Sequence, residues 1–168
     1  MIKLILIDGL PGVGKTTISR ELAKATGGIH LRIDSIEQAL RNCGVDVTKE
    51  GYVVGYAVAE DNLRLGLTVI ADCVNPWPLT REAWRAVAAR AQVASLDVEV
   101  ICSDQAEHRR RVEARTADIP GHLVPTWQDV TGRDYHPWDD EPRLIVDTVG
   151  TTVDEAVRTI ADRLGRST

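Results

Sequence analysis

The chain has 168 residues, of which 43% are hydrophobic and 27% charged, and its formal net charge is −5 at pH 7. This length fits one domain with a real core, and it is too short for a motor ATPase with accessory domains. No stretch approaches the roughly 20 apolar residues of a membrane span, and the negative charge disfavours nucleic acid as a partner. We therefore expect a single cytoplasmic domain over residues 1–168, not bound to membranes and either monomeric or homodimeric.

The first predicted element is a strand, the apolar run MIKLILID at residues 1–8, and GLPGVGKTT follows it at residues 9–17. This second segment matches in full the phosphate-binding pattern G-x-x-x-x-G-K-S/T, the P-loop or Walker A motif. Its glycines allow successive backbone N–H groups to point toward an anion, and the helix that opens near Lys15 adds its positive end. Because strand, loop and helix signals agree, the sequence predicts a nucleoside triphosphate site.

Within this loop the pattern assigns specific roles. Lys15 is predicted to reach the β- and γ-phosphates of ATP, and the hydroxyl of Thr16 is predicted to bind Mg²⁺. The residues of the loop predicted to contact the nucleotide are Gly9, Gly12, Val13, Gly14, Lys15, Thr16 and Thr17.

Further β-rich runs alternate with helical segments along the rest of the chain. The predicted strands are HLRI at 30–33, LTVIADCV at 67–74, VEVICS at 98–103 and RLIVDT at 143–148. The predicted helices lie near 15–26, 35–43, 50–66, 80–95, 105–117 and 152–165. Continuously hydrophobic strands suit a parallel sheet covered by helices on both faces. The predicted fold is therefore an α/β three-layer sandwich around a five-stranded parallel sheet.

Two aspartates lie at predicted strand ends, where open parallel sheets bind their ligands. Asp34 directly follows HLRI and could accept the proton of an attacking hydroxyl as a general base; a helix cap is the structural alternative, and one side chain can do both. Asp72 closes VIAD, a pattern that holds Mg²⁺ or its waters in many P-loop proteins. The alternatives for Asp72 are an acceptor-binding carboxylate and a strand-end turn residue.

The run EHRRRVEAR at 107–115 places Arg111 and Arg115 four residues apart, and therefore on one face of a helix. Two guanidinium groups there could close over the triphosphate as a lid and neutralise charge on the transferred phosphoryl group. The alternative is a solvated basic helix that pairs with its own glutamates. We interpret the neighbouring His108 as a surface residue.

The segment 118–142 interrupts the alternation with four prolines, two tryptophans and five aspartates. Together with the preceding helix it forms the predicted lid and acceptor region, about residues 105–142. Three tryptophans in or near it could line an acceptor pocket or simply pack: Trp77, Trp127 and Trp138. Four acidic residues would suit a cationic acceptor such as an amino sugar, with a solvated loop as the commoner explanation: Asp134, Asp139, Asp140 and Glu141.

GLPGVGKTT, Asp34, VIADCVNPWPLTREAW and the arginine pair of RVEAR, in this order, resemble the small P-loop kinases. The most similar groups contain polynucleotide 5′-kinase, chloramphenicol phosphotransferase and zeta-toxin-like enzymes, and the resemblance covers residues 1 to about 160. It implies the P-loop NTPase fold with strand order 2-3-1-4-5, ATP as the donor, Asp34 as the base, and a helical lid with Arg111 and Arg115. It also implies that Val149, Gly150 and Thr151 lie against adenine.

One departure from this family bears on the acceptor. In polynucleotide kinases an arginine that binds the acceptor phosphate lies three residues after the base, whereas this chain has Glu37 there and Arg41 one turn later. A carboxylate at that position repels a nucleic-acid end, which favours a small neutral or cationic acceptor.

The predicted function is therefore an ATP- and Mg²⁺-dependent transfer of a phosphoryl group to a hydroxyl of a small molecule such as an antibiotic, an amino sugar or an aminocyclitol. Lys15, Asp34, Arg111 and Arg115 are its predicted catalytic residues. The alternatives are a polynucleotide 5′-hydroxyl kinase and a non-catalytic, ATP-binding regulatory protein.

Overall fold

The computed structural model describes residues 1–138 and 141–165. A five-stranded, all-parallel sheet lies at its centre in the order β2-β3-β1-β4-β5. Its strands are β1 (Ile2–Asp8), β2 (Ile29–Arg32), β3 (Val69–Asp72), β4 (Ala94–Ile101) and β5 (Leu144–Asp147). The predicted number, direction and order of the strands are confirmed.

Helices cover both faces of the sheet. They are α1 (Lys15–Thr26), α2 (Ile33–Asn42), α3 (Glu50–Arg64), α4 (Pro78–Arg90), α5 (Gln105–Ala114), α6 (Trp127–Thr131) and α7 (Val153–Gly165). In the part of the chain that the structure describes, no helix is both long and apolar enough to cross a membrane.

The central strand β1 explains why the sheet is hydrophobic on both sides. Leu4 and Leu6 pack into one core cluster with residues of α3 and α4. Ile5 and Ile7 point to the opposite face and pack with residues of α1 and α7. Successive side chains of a strand alternate between faces, so a strand covered by helices on both sides reads as one continuous apolar run.

The register of the sheet brings polar residues together at its carboxyl end. Asp72 of β3 is the partner of Ile7 in β1 and of Arg32 in β2. The loop between β1 and α1 begins at this same edge, immediately after Asp8. Residues far apart in the sequence therefore become neighbours around the loop.

Several element boundaries differ from the predicted ones for local reasons. Helix α2 begins at Ile33, which places Asp34 inside the first turn rather than at the cap. Helix α4 begins at Pro78, because proline at the first helical position loses no needed N–H bond. The predictions also missed α6, although a capping box between Thr126 and Asp129 marks its start.

Candidate functional site

Glycines shape the loop between β1 and α1. Gly9, Gly12 and Gly14 have φ angles of 140°, 85° and 105°. A Cβ atom on Gly9 would collide with the backbone oxygen of Val100, and one on Gly12 would lie 2.5 Å from the side chain of Val112. Strand β4 and helix α5 therefore pack directly behind the loop, and α1 begins at Lys15, at the end of the loop. The positive end of that helix suits an anion.

Lys15 lies buried at the start of α1, and its Nζ donates to the backbone oxygen of Leu10 at 2.9 Å. Burial lowers the pKa of Lys15, and the negative charges of Asp72 and Asp34 oppose that shift. The predicted catalytic lysine and the two predicted strand-end carboxylates are thus close enough to interact electrostatically.

Thr16 and Asp72, the predicted Mg²⁺ ligands, line the same cleft, and the Thr16 side chain is near enough to lower the pKa of the Asp72 carboxyl. Burial opposes ionisation of Asp72, but the hydrogen bond from His30, the charge of Lys15 and the nearby Thr16 side chain keep its pKa below the usual value. A buried, ionised carboxylate beside a hydroxyl offers the hard oxygen ligands that Mg²⁺ takes from a protein when phosphates and water supply the rest. These residues therefore fit the ion.

Asp34 lines the same cleft and has a neighbour that the sequence analysis missed. Arg32, the last residue of β2, is buried, and its guanidinium lies 3.6 Å from Asp34 and 3.9 Å from Asp72. It also donates two hydrogen bonds, of 2.7 and 3.1 Å, to Asp118. One signal in the sequence could have predicted these ion pairs. An arginine at the end of a buried strand needs polar or acidic partners, because a buried charge without them is costly.

Asp118 ties the segment after α5 to this site. Besides Arg32, it accepts a hydrogen bond of 2.7 Å from Arg20 of α1. These two hydrogen-bonding arginines and their positive charges outweigh the opposing effect of burial and hold the pKa of Asp118 well below its ordinary value. The start of segment 118–142 is thereby fixed beside α1 and β2.

Helix α5 brings both predicted arginines to the cleft. Arg111 donates to Glu107 at 2.7 Å and to the hydroxyl of Thr148 at 2.8 Å. Arg115 immediately follows the helix, and its charge helps to lower the pKa of Lys15. Arg109 forms an ion pair with Glu113, which agrees with the alternative of a solvated basic helix that pairs with its own glutamates.

The interpretation of His108 as a surface residue is wrong. His108 is buried, its Nε2 donates to the backbone oxygen of Pro11 at 2.8 Å, and its ring packs edge-on against Trp127 at 5.2 Å. Since Pro11 belongs to the loop, His108 supports the loop from behind. A helix with one polar and one buried face produces this outcome, and the short charged run gave no sign of which face His108 occupies.

Of the remaining residues predicted to contact the nucleotide, only some line the cleft. Gly12, Gly14 and Thr17 line it, whereas the side chain of Val13 belongs to the hydrophobic core. Val149, Gly150 and Thr151 are absent from the cleft lining; they follow Thr148, whose hydroxyl bonds to the backbone oxygen of Val13 at 3.0 Å. The predicted contact of these three residues with adenine stays a prediction.

The cleft has a volume of about 1140 Å³. One wall, the loop wall, is formed by the loop of residues 9–17 together with Asp34 and Asp72. The residues of the loop that line the cleft are Pro11, Gly12, Gly14, Lys15, Thr16 and Thr17. Another part of the lining, named the acceptor wall after the predicted acceptor, comes from α2, α3, the start of α4 and the segment after α5. It includes Glu37, Gln38, Tyr52, Val53, Tyr56, Trp77, Leu79 and Leu123.

Of the three candidate tryptophans, Trp77 lines this cleft. Trp138 does not, because it is 1% exposed and stacks on the guanidinium of Arg81 at 4.1 Å. Trp127 packs against His108 instead. Of the two alternatives for these residues, packing therefore describes Trp127 and Trp138, and lining of the cleft describes Trp77.

Asp134 and Glu141, two of the four acidic residues predicted to suit a cationic acceptor, make other contacts. Asp134 accepts a hydrogen bond from the indole of Trp77 at 2.9 Å, and Glu141 pairs with Arg81 and Arg85. Neither lines the cleft. Asp139 and Asp140 lie outside the described residues.

The family model AAA_33, an AAA domain, matches residues 4–129. An uncharacterized protein of Mycobacterium tuberculosis is 30% identical over 173 residues, which cover 82% of this chain and 35% of that protein. The chain thus spans about a third of the length of the curated relatives it matches.

Solved structures share the fold over nearly the whole chain. A sugar kinase from Janibacter is 17% identical with a TM-score of 0.69, covering 99% of this chain and 96% of that one. The APS kinase CysC of M. tuberculosis, in complex with AMPPNP and APS, is 16% identical with a TM-score of 0.69, covering 98% of each chain. The predicted resemblance to P-loop kinases is confirmed at the level of family and fold.

Proposed function

The chain belongs to the AAA domain family and has the fold of the P-loop kinases, and from this premise we propose that it transfers the γ-phosphoryl group of ATP to a hydroxyl of a small molecule. One observation carries the proposal. A phosphate-binding loop, a buried lysine, a threonine–aspartate pair and a second carboxylate, Asp34, all face a single cleft.

Binding of the donor uses the loop wall. The backbone of residues 9–17 and the ammonium group of Lys15 bind the phosphates, with the N-terminus of α1 adding favourable charge. Thr16 and Asp72 would hold Mg²⁺, which when bound neutralises charge on the phosphate oxygens. Arg111 and Arg115 face the same space and would stabilise negative charge that develops on the transferred group.

Transfer requires a base for the acceptor, and Asp34 is placed for that role. The acceptor oxygen attacks the γ-phosphorus, the bond from that phosphorus to the β–γ bridging oxygen breaks, and ADP leaves with the electron pair. The hydroxyl proton passes to the Asp34 carboxylate. Arg32, 3.6 Å away, would orient this carboxylate.

A small acceptor fits better than a nucleic-acid end. Glu37 occupies the acceptor side of the cleft and forms a 3.1 Å ion pair with Arg41, so this arginine has its charge partner within the protein. A phosphodiester would meet the Glu37 carboxylate at this point. Two of the structurally similar kinases are a sugar kinase and an APS kinase, which agrees with a small acceptor.

The variant Asp34→Asn tests the proposal. We expect ATP affinity, measured by calorimetry, to stay within about twofold, because the amide keeps the shape of the side chain. ADP release with a panel of hydroxyl compounds should fall about 10²- to 10⁴-fold, the usual contribution of a general base. Ser35→Ala, at the exposed neighbouring position, serves as the matched control and should leave both values unchanged.

The alternatives give different results in the same assays. Unchanged turnover in Asp34→Asn would remove Asp34 from the mechanism. ATP binding without transfer to any compound would favour the non-catalytic regulatory protein, and ATP consumption with a 5′-hydroxyl oligonucleotide alone would favour the polynucleotide kinase.

A further inference from the structure

Exposed apolar side chains converge on the mouth of the cleft. Val53, Trp77, Leu79 and Leu123 all line it, and they are 54, 42, 74 and 88% exposed. We refer to these four residues as the apolar rim. They come from separate parts of the chain: α3, the residue before α4, α4 itself and the segment after α5. Grouped exposed apolar surface of this kind marks a binding site more often than scattered single residues do.

Besides the apolar rim, the acceptor wall contains two aromatic rings that line the cleft. Tyr52 and Tyr56 of α3 line the cleft beside it. The Tyr52 hydroxyl accepts from the backbone N–H of Asn75 at 3.0 Å, and the Tyr56 hydroxyl donates to the backbone oxygen of Thr80 at 3.4 Å. These bonds hold both rings in place, so the wall is preorganised before any ligand arrives.

The indole of Trp77 is held in the same way. Its Nε1 donates to Asp134 at 2.9 Å, which uses the polar atom of the ring and leaves its carbon surface for contact. Asp134 itself does not line the cleft, so it gives a cationic acceptor no partner there.

Arginines near the predicted base are already paired. Arg41 bonds to Glu37, while Arg20 and Arg32 both bond to Asp118. An anionic acceptor that bound one of these three arginines would displace its internal partner, which costs a desolvated ion pair. The three pairs therefore weigh against recognition of an anionic acceptor by these arginines.

We infer that the acceptor carries its hydroxyl on an apolar, aromatic body, which the apolar rim covers while the hydroxyl reaches Asp34. This inference rests on the proposed function and narrows it, away from sugars and amino sugars. A polyol would leave the rim in water, whereas an aryl group removes it from water, and that burial is the driving force for binding.

The test uses two probes, naphthylethanol as an aryl alcohol and D-glucose as a polyol. Binding of naphthylethanol is followed by its fluorescence, and transfer is followed by ADP release with ATP and Mg²⁺. The double variant Leu79→Ser/Leu123→Ser removes two rim residues whose side chains are exposed, so the fold should persist. Leu65→Ser is the matched control, because Leu65 is 77% exposed and does not line the cleft.

We expect naphthylethanol to bind and to stimulate ADP release at least tenfold more than D-glucose at equal concentration. The double variant should weaken naphthylethanol binding and raise its KM about tenfold, with ATP affinity unchanged, while Leu65→Ser should match the native protein.

Equal naphthylethanol binding by the native protein and the double variant would overturn the inference. So would greater turnover with D-glucose, which would leave the kinase proposal standing. Naphthylethanol binding that depends on the rim, without transfer to either alcohol, would support the apolar site and count against the kinase. Self-association that the double variant abolishes, measured by sedimentation, would make the rim an interface between copies and overturn the inference.

Discussion

The two walls of the cleft differ in how the protein holds them. The loop wall is packed from behind, with Gly9 against Val100 and Gly12 against Val112, and His108 bonds to its backbone. The acceptor wall ends in side chains such as Leu79 and Leu123 that remain largely in water. Phosphate recognition by backbone dipoles needs fixed geometry, whereas apolar contact is non-directional. The loop wall is thus fixed by packing within the fold, whereas the side chains at the edge of the acceptor wall keep much of their apolar surface in water.

The largest expected effect comes from breaking the packing behind the loop. Gly9→Ala should weaken ATP binding more than 100-fold and destabilise the fold by about 3 kcal/mol, because the new Cβ meets the backbone of β4, which cannot rotate away. Calorimetry with ATP and urea unfolding measure the two effects.

Gly44→Ala is the control for backbone strain alone. Gly44 also has a positive φ, of 79°, but nothing lies within 4 Å of its added Cβ. The Gly44→Ala variant should be less stable by about 1 kcal/mol and should bind ATP with unchanged affinity. If Gly9→Ala binds ATP as tightly as Gly44→Ala does, the loop is not held from behind in the way we describe.

A smaller effect is expected at His108, which supports the loop through one hydrogen bond. His108→Leu leaves the Pro11 oxygen without its donor and should weaken ATP binding about tenfold, or about 1.4 kcal/mol. His108→Gln, which retains an N–H donor, should recover part of that loss. Arg109→Leu, at the exposed adjacent position, should bind ATP normally; equal weakening in that variant would attribute the effect to α5 in general.

The smallest effect concerns Asp8, buried at the start of the loop wall. Burial, with the nearby charge of Asp97, raises the pKa of Asp8 well above its ordinary value. The folded state therefore retains a proton that the unfolded state loses above about pH 4, so the contribution of Asp8 to stability falls as pH rises toward its folded-state pKa.

Asp8→Asn removes this dependence. Relative to the native protein, its free energy of unfolding should increase as pH rises from about 4 toward the folded-state pKa of Asp8, by at most about 1.4 kcal/mol per pH unit. Urea unfolding at several pH values measures the difference, and Asp61→Asn, at an exposed position of α3, is the control. Parallel profiles for Asp8→Asn and the native protein would show that Asp8 ionises normally.

The sequence by itself determined the parts of this protein that depend on neighbouring residues. The loop pattern after β1 is one such part, and so are the caps at Asp104 and between Thr152 and Glu155, because each involves contacts within a few positions. Continuous apolar runs predicted the parallel sheet, since burial on both faces leaves no polar alternation. The strand order came from the family resemblance.

Tertiary structure alone decided which polar residues meet. His108 bonds to Pro11 across 97 positions, and Arg32 bonds to Asp118 across 86. The sequence offers no way to distinguish Trp138 from Trp77. In the folded protein Trp138 is buried against Arg81, whereas Trp77 lines the cleft. The periodicity of apolar residues divides the side chains of a helix or strand between its faces. Which residues each face contacts depends on how distant segments fold together. The apolar rim has no signature in any single segment for the same reason.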